Sequence, residues 1–244
     1  MVKLITASEV ISKAFTNSNT DTTLIKDGFI EIAQYNQLKP IIGEDLYNKI
    51  ISEKNEGVTW KSTIGVDTTT GSANLVSNPG SNFTSDMVNW YVQGTGVPLF
   101  KDGYTSSSDE NNHYTKVITF TDTSNIVLNA SATLTNAPVS LTFYSPIGYL
   151  VEKYILDFLA FAVKFEVLPD MTYNSTSQGI VENVADFTTP VDGKKLSFLR
   201  TEILKQAETY KRRMIHFLCQ EDLNYPLYEP DDDFTVKRSG LIMY

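Results

Sequence analysis

Apolar positions recur at helical spacing at both ends of this chain and give way in the middle to short alternating runs. The first helix opens on a capping box, Thr6 with Glu9 three residues later, and carries Val10, Ile11, Ala14 and Phe15 before Asn17-Ser18-Asn19 stops it. A second helix is predicted from near Asp27, with Phe29, Ile30, Ala33 and Leu38 on its apolar face. Pro40 should end it, because the residue before proline is pushed out of helical geometry. Gly43 then fits a turn. Glu44-Asp45 open a third helix that buries Leu46, Tyr47, Ile50 and Ile51.

Residues 56–144 read differently. They are rich in Thr, Ser, Asn and Gly, and the alternations Val117-Ile118-Thr119-Phe120-Thr121, Ile126-Val127-Leu128 and Val139-Ser140-Leu141-Thr142-Phe143 predict strands. Asn78-Pro79-Gly80, Gly94-Thr95-Gly96, Lys101-Asp102-Gly103 and Thr123-Ser124-Asn125 are turn signals between them. The polar stretch Thr105 to Asn112 is expected to be a mobile loop. Short strands at this spacing predict a small β-barrel or sandwich.

Helical spacing resumes at Ser145-Pro146, an N-cap followed by proline at the first helical position. From Ile147 to Phe165 the segment is apolar nearly all round, which predicts a central core helix ending before Pro169. A polar connection should run from Asp170 to Gly193. The last helix has the most regular period: Leu196, Leu199, Ile203, Ala207, Tyr210, Met214 and Phe217, a narrow coiled-coil-like seam flanked by charge. The expected fold is therefore α+β. A helical-bundle core (residues 1–55 and 145–225) carries an inserted small β-barrel or sandwich module (56–144), and 226–244 form a C-terminal tail.

Composition narrows the function. The chain has 244 residues, 41% hydrophobic and 20% charged, enough to bury a core without staples. Its single cysteine, Cys219, excludes an internal disulfide framework, fits a reducing compartment and is expected to be a small buried hydrophobe. Met1 to Thr6 lead straight into a helix cap without the apolar core of a signal peptide. The most apolar stretch, Tyr149 to Leu168, is interrupted by Glu152, Lys153, Asp157, Lys164 and Glu166, so no membrane span is expected. The net charge of −9 argues against a protein that grips nucleic acid by its phosphates, but not against one that DNA slides past.

Motifs for catalysis, metals and cofactors are not found. No phosphate-binding glycine loop, zinc-protease helix or nucleophile elbow occurs, so no enzyme, cofactor or metal is expected. His113 and His216 stand apart from any clustered partner. Asp231-Asp232-Asp233 lack the alternation and turn glycine of a calcium loop. Lys211-Arg212-Arg213 and Lys237-Arg238 read as solvated charge. The tail is more suggestive. Phe234, Val236, Leu241, Ile242, Met243 and Tyr244 are costly to expose, which makes them candidates for docking on the chain's own core or on a neighbour.

Three segments carry a family likeness: Ile5 to Ile11; Ile30 to Gln34; and Leu38 to Tyr47, with its Lys39-Pro40-Ile41-Ile42-Gly43 and Leu46-Tyr47. With Gln178 to Val181 and Tyr210 to Met214 they resemble the head–tail connector (adaptor) proteins of tailed bacteriophages, above all those of crAss-like and other Bacteroides phages. The pieces Gly71 to Ala73, Asn82 to Val88 and Ile126 to Leu128 resemble small β-modules of phage structural proteins.

The resemblance implies a virion structural subunit in a self-assembled ring, a dodecamer, at the neck of the particle. Its partners would be the portal protein and neighbouring neck or tail proteins, with phage DNA passing through the lumen. Assembly would take place in the host bacterial cytoplasm, and no active site is implied. The alternative is a carbohydrate- or host-surface-binding module carried by the β insert, with Trp60, Trp90, Tyr91 and Tyr104 as a stacking face.

Overall fold

A computed structural model of the chain describes residues 2–16, 20–80, 82–100, 114–176, 179–182 and 193–229. The chain is mixed α and β, and its main sheet is antiparallel and curled. It divides into two compact units. One comprises the described parts of Met1–Glu56, Val151–Phe217 and Leu227–Tyr244. The other comprises those of Gly57–Leu150 and Leu218–Pro226.

Among the described residues the first unit's regular structure is helical apart from one hairpin. Helix α1 (Ala7–Ala14) starts at the capping box: Thr6 N donates to Glu9 Oε2 (2.8 Å) and Glu9 N to Thr6 Oγ1 (3.3 Å). Its buried face, Val10, Ile11 and Ala14, packs on α6 (Leu156–Thr172). Lys13 pairs with Asp157 at 2.6 Å, and Lys164 Nζ donates to the end carbonyl of Ala14 at 2.6 Å. Burial pushes the Lys164 ammonium below its ordinary range. Helix α6 buries Phe158, Leu159, Ala160, Ala162, Val163 and Val167, as its all-round apolar sequence requires.

Neither proline ends its helix where expected. Helix α2 (Asp27–Ile32) passes through a wider π-type turn (Ala33–Leu38) into α3 (Lys39–Ile42), which contains Pro40. Lys39 stays helical and its N–H bonds five residues back, to Gln34 O. The widened turn accommodates the missing donor and ring of Pro40 without breaking the helix. The real stop is Gly43, followed by α4 (Glu44–Glu56). Pro169 likewise lies inside α6, in its last turn, where the lost hydrogen bond costs little continuity. The connection after it is not wholly irregular, since β7 (Tyr173–Thr176) and β8 (Gly179–Glu182) pair as a hairpin.

Helix α7 (Gly193–Gln220) buries the seam only from Ile203 onward, through Ala207, Met214 and Phe217; Leu199 is exposed. Tyr154 and Phe217 stack at 4.4 Å, as do Phe161 and Tyr210 at 5.2 Å.

The second unit is built on a six-stranded antiparallel sheet. Its strands are β1 (Lys61–Thr68), β2 (Asn74–Ser77), β3 (Tyr91–Gln93), β4 (Val117–Asp122), β5 (Asn125–Leu128) and β6 (Asn136–Tyr144), in the order β3-β6-β1-β2-β5-β4. The sheet curls into a half-barrel, and its end strands meet at a bridge between Tyr91 and Lys116. Val92 N donates to Thr115 O and Val117 N to Trp90 O, each at 3.0 Å. Register shifts in the β1–β6 and β4–β5 pairs add the local bending that curling needs. The concave side holds Ile64, Val66, Leu75, Phe83, Trp90, Val92, Val117, Ile126, Leu141 and Phe143.

Helix α5 (Pro146–Leu150) follows β6 directly. Gly148 N donates to the Ser145 hydroxyl at 3.0 Å, the side-chain cap its sequence predicts. The backbone of Trp60 occupies the place a Cβ at Gly148 would take, so only glycine fits there.

Candidate functional site

The second unit contains a largely buried group of polar and aromatic side chains drawn from four places in the chain. Tyr91 opens β3, Lys116 precedes β4, and Tyr149 lies on α5. Glu221, Asn224 and Tyr225 come from the segment after α7, where Asp222–Asn224 form a single 3₁₀ turn. Lys116 is 5% exposed and Glu221 1%.

Glu221 Oε2 is the hub. It accepts from Lys116 Nζ at 2.5 Å, from Asn224 Nδ2 at 2.6 Å and from the Tyr91 hydroxyl at 2.9 Å. Lys116 Nζ also lies 4.7 Å from the centre of the Tyr91 ring, on its negative face. The lysine backbone is held as firmly. Its N–H donates to Asn129 Oδ1 at 2.8 Å, and Asn129 Nδ2 donates to Tyr114 O at 2.9 Å. Tyr91 stacks on Tyr149 at 4.2 Å and meets Tyr114 edge-on at 5.9 Å. The Tyr225 hydroxyl donates to Pro146 O at 2.6 Å.

Burial sets the electrostatics. The Tyr91 and Tyr225 phenols are pushed well above their ordinary range, mainly by desolvation, and the Glu221 carboxylate adds to the effect. Tyr149 is raised for the same first reason. These phenols stay neutral, so the site's formal charges are those of Lys116 and Glu221, which cancel. A buried pair of this kind is costly to break: removing one partner strands the other charge, at about 3–5 kcal/mol. The arrangement fastens the segment Leu218–Pro226 to the sheet. Within this arrangement Lys116, Glu221 and Tyr225 are buried and Asn224 is half-buried.

A second built feature lies in the helical unit. Gly43 N donates to Lys39 O at 2.9 Å and Tyr47 N to Gly43 O at 3.1 Å, closing a corner that buries Ile41, Ile42, Leu46 and Tyr47. Lys39 pairs with Glu44 at 2.7 Å and lies 4.8 Å from the Tyr35 ring centre. Their hydrogen bond raises the Lys39 pKa and lowers that of Glu44. Tyr35, Asn36, Lys39, Pro40 and Glu44 line a recess of about 320 Å³. Gly43 has φ +84°, and the backbone of Glu229 sits where a Cβ would project.

The candidates named from sequence fall elsewhere. Phe234, Val236, Leu241, Ile242, Met243 and Tyr244, with Asp231 to Asp233, Lys237, Arg238, His113 and Tyr104, lie outside the described residues. Cys219 is exposed, not buried: it follows the inward Phe217 and Leu218 on the outer side of α7. His216 is exposed as well. Trp90 and Tyr91 are buried and Trp60 is half-buried, so these three form no open stacking face. Lys211 and Arg212 are engaged with Glu208 at 3.2 and 3.5 Å. No group of three or more His, Cys, Asp or Glu among the described residues is placed to hold a metal ion. No helix among them is long and apolar enough to cross a membrane. The lysine–glutamate hub was missed because 105 residues separate its partners; an isolated Lys116 in an apolar strand context was its one local sign.

Fold and site together define a mixed α/β protein with a curled antiparallel sheet and a largely buried polar clasp. The model of a family described as a family of unknown function (DUF6712) matches residues 111–238, more than half of the chain, and the chain belongs to that family. The matched span contains Lys116, Glu221 and Asn224. No curated protein and no solved structure gives a significant match.

Proposed function

We propose that the chain is a structural subunit of a phage head–tail connector ring, docked on the portal and joining the capsid to the tail. In this reading the helical residues within 1–55 and 145–225 form the bundle that builds the ring. The β-rich module is a small inserted barrel turned toward neighbouring neck or tail components, and the apolar tail reaches an adjacent subunit. The observation that carries the proposal is the segment Lys39 to Tyr47. The residues that resemble connector proteins are those that fold into the buried Gly43 corner, with its Lys39–Glu44 pair.

Two further features support the reading. The amino-terminal half of α7 exposes Phe198 (66%), Leu199 (43%) and Leu204 (50%), apolar surface that a ring contact would cover. The net charge of −9 suits a lumen wall past which DNA slides without sticking. A closed ring requires heterologous contacts, one face of each subunit meeting a different face of the next. Mixing the chain with its cognate portal and imaging the product tests the proposal: a ring seated on the portal is expected. No binding to the portal, together with absence from purified particles, would overturn it.

A further inference from the structure

We propose that Lys116 and Asn224 join covalently as an intramolecular isopeptide bond, with Glu221 as the proton carrier. The three groups this reaction requires are already assembled on one atom. Glu221 Oε2 takes a hydrogen bond from the lysine amine at 2.5 Å and from the asparagine amide at 2.6 Å. The amine and the amide nitrogen therefore lie no farther apart than those two distances combined, and the amide carbon is one bond beyond.

Position is held on both sides. Asn129 pins the Lys116 backbone, and the 3₁₀ turn Asp222–Asn224 sets Glu221 and Asn224 three residues apart on one side. Tyr91, Tyr149 and Tyr225 wall the site, and the lysine and glutamate are almost fully removed from water. Fixed proximity of this kind replaces the entropy cost of bringing amine and amide together. Asn224 itself is half-buried, with its amide turned onto the buried Glu221 carboxylate.

The reaction balances without a cofactor or co-reactant. The Lys116 ammonium passes one proton to Glu221, leaving a neutral amine and a neutral acid. The amine lone pair attacks Asn224 Cγ, and a half-turn of the amide places Oδ1 where the acid can polarise it, since the amide oxygen and nitrogen are interchangeable in placement. The tetrahedral centre collapses with cleavage of Cγ–Nδ2. A second proton from the former lysine nitrogen goes to the leaving group, and ammonia departs. The products are a secondary amide between Lys116 Nζ and Asn224 Cγ, ammonia, and a neutral Glu221. The buried site ends with no formal charge, which relieves the desolvation cost that an ion pair carries there. The bond would tie the segment after α7 permanently to the sheet strand at Lys116, a fastening suited to a protein under mechanical load.

Intact-mass spectrometry of the purified full chain tests this, followed by protease digestion and fragment sequencing. The expected mass lies one ammonia (about 17 Da) below that of the sequence, with a branched peptide joining Lys116 to Asn224. Lys116→Met, Asn224→Ala and Glu221→Gln should each restore the full mass. The wild-type result decides even if those variants fold poorly. The full sequence mass in the folded wild type would overturn the proposal. So would loss of one water with a Lys116–Glu221 link, or loss of ammonia mapped to any other residue, as in a succinimide.

Discussion

Replacing Gly43 with alanine should be among the most damaging single-methyl additions in the helical unit. Gly43 has φ +84° and ψ 158°, a backbone region held essentially by glycine alone, so alanine there costs about 1–3 kcal/mol in strain. Its methyl would also be driven into the backbone of Glu229, which cannot rotate away as a side chain could. Overpacking of that kind adds about 1–3 kcal/mol. The two together reach about 2–6 kcal/mol, a large fraction of a typical domain stability of about 5–15 kcal/mol.

Gly57→Ala is the matched control. Gly57 also has positive φ, +70°, but nothing lies within 4 Å of its Cβ position, so only the left-handed penalty of about 1–2 kcal/mol applies. Urea unfolding followed by circular dichroism gives the two midpoints. Amide hydrogen exchange shows whether the loss is local to the Lys39–Tyr47 corner. G43A should be clearly the worse variant, with faster exchange at the corner. Equal loss in G43A and G57A would refute the claim that Glu229 packs against this turn.

Three other outcomes follow from the geometry. Gln34 is fully buried, accepts from Leu4 N at 2.6 Å and donates to Val2 O at 3.1 Å; Gln34→Leu should destabilise by about 1–3 kcal/mol in the same urea assay, although it adds apolar volume. The Asp122 carboxyl is held below its ordinary value of 3.8 by the Ser124 N–H and the Asn125 amide, so its turn contribution is complete above that value and lost as pH falls through the lower folded value. Carbon-detected NMR titration should place the Asp122 midpoint below those of unpaired aspartates, and a midpoint at or above 3.8 would contradict the turn geometry. Cys219 is exposed, so one thiol per chain should react with a thiol reagent without denaturant; protection until unfolding would contradict its placement.

What the sequence made legible was local. Thr6 with Glu9, and Ser145 with Pro146, mark helix starts through contacts within one turn, and both starts lie where those residues put them. The strands at Val117, Ile126 and Val139 announce themselves by alternation. Strand β1 does not, because Gly65 and the threonines dilute an inward set of Ile64, Val66 and Thr68 that shows only once the sheet curls. Pro40 and Pro169 mislead for a related reason. A wide turn upstream, or a place in the last turn, lets a helix keep a proline that local rules would make a stop. Cys219 was misplaced by residue type, since a buried preference for cysteine does not decide which side of α7 it occupies. The clasp was least accessible. Lys116, Glu221 and Asn224 acquire meaning only when a curled sheet and the segment after α7 bring them to one oxygen atom.

The proposed connector role is tested most directly by imaging the head–tail neck of intact particles. A reconstruction at side-chain detail should show a closed ring of this chain against the portal, with Phe198 and Leu204 covered by a neighbouring subunit and DNA in the lumen. A neck built entirely from other proteins, with this chain missing from the particle, would contradict it.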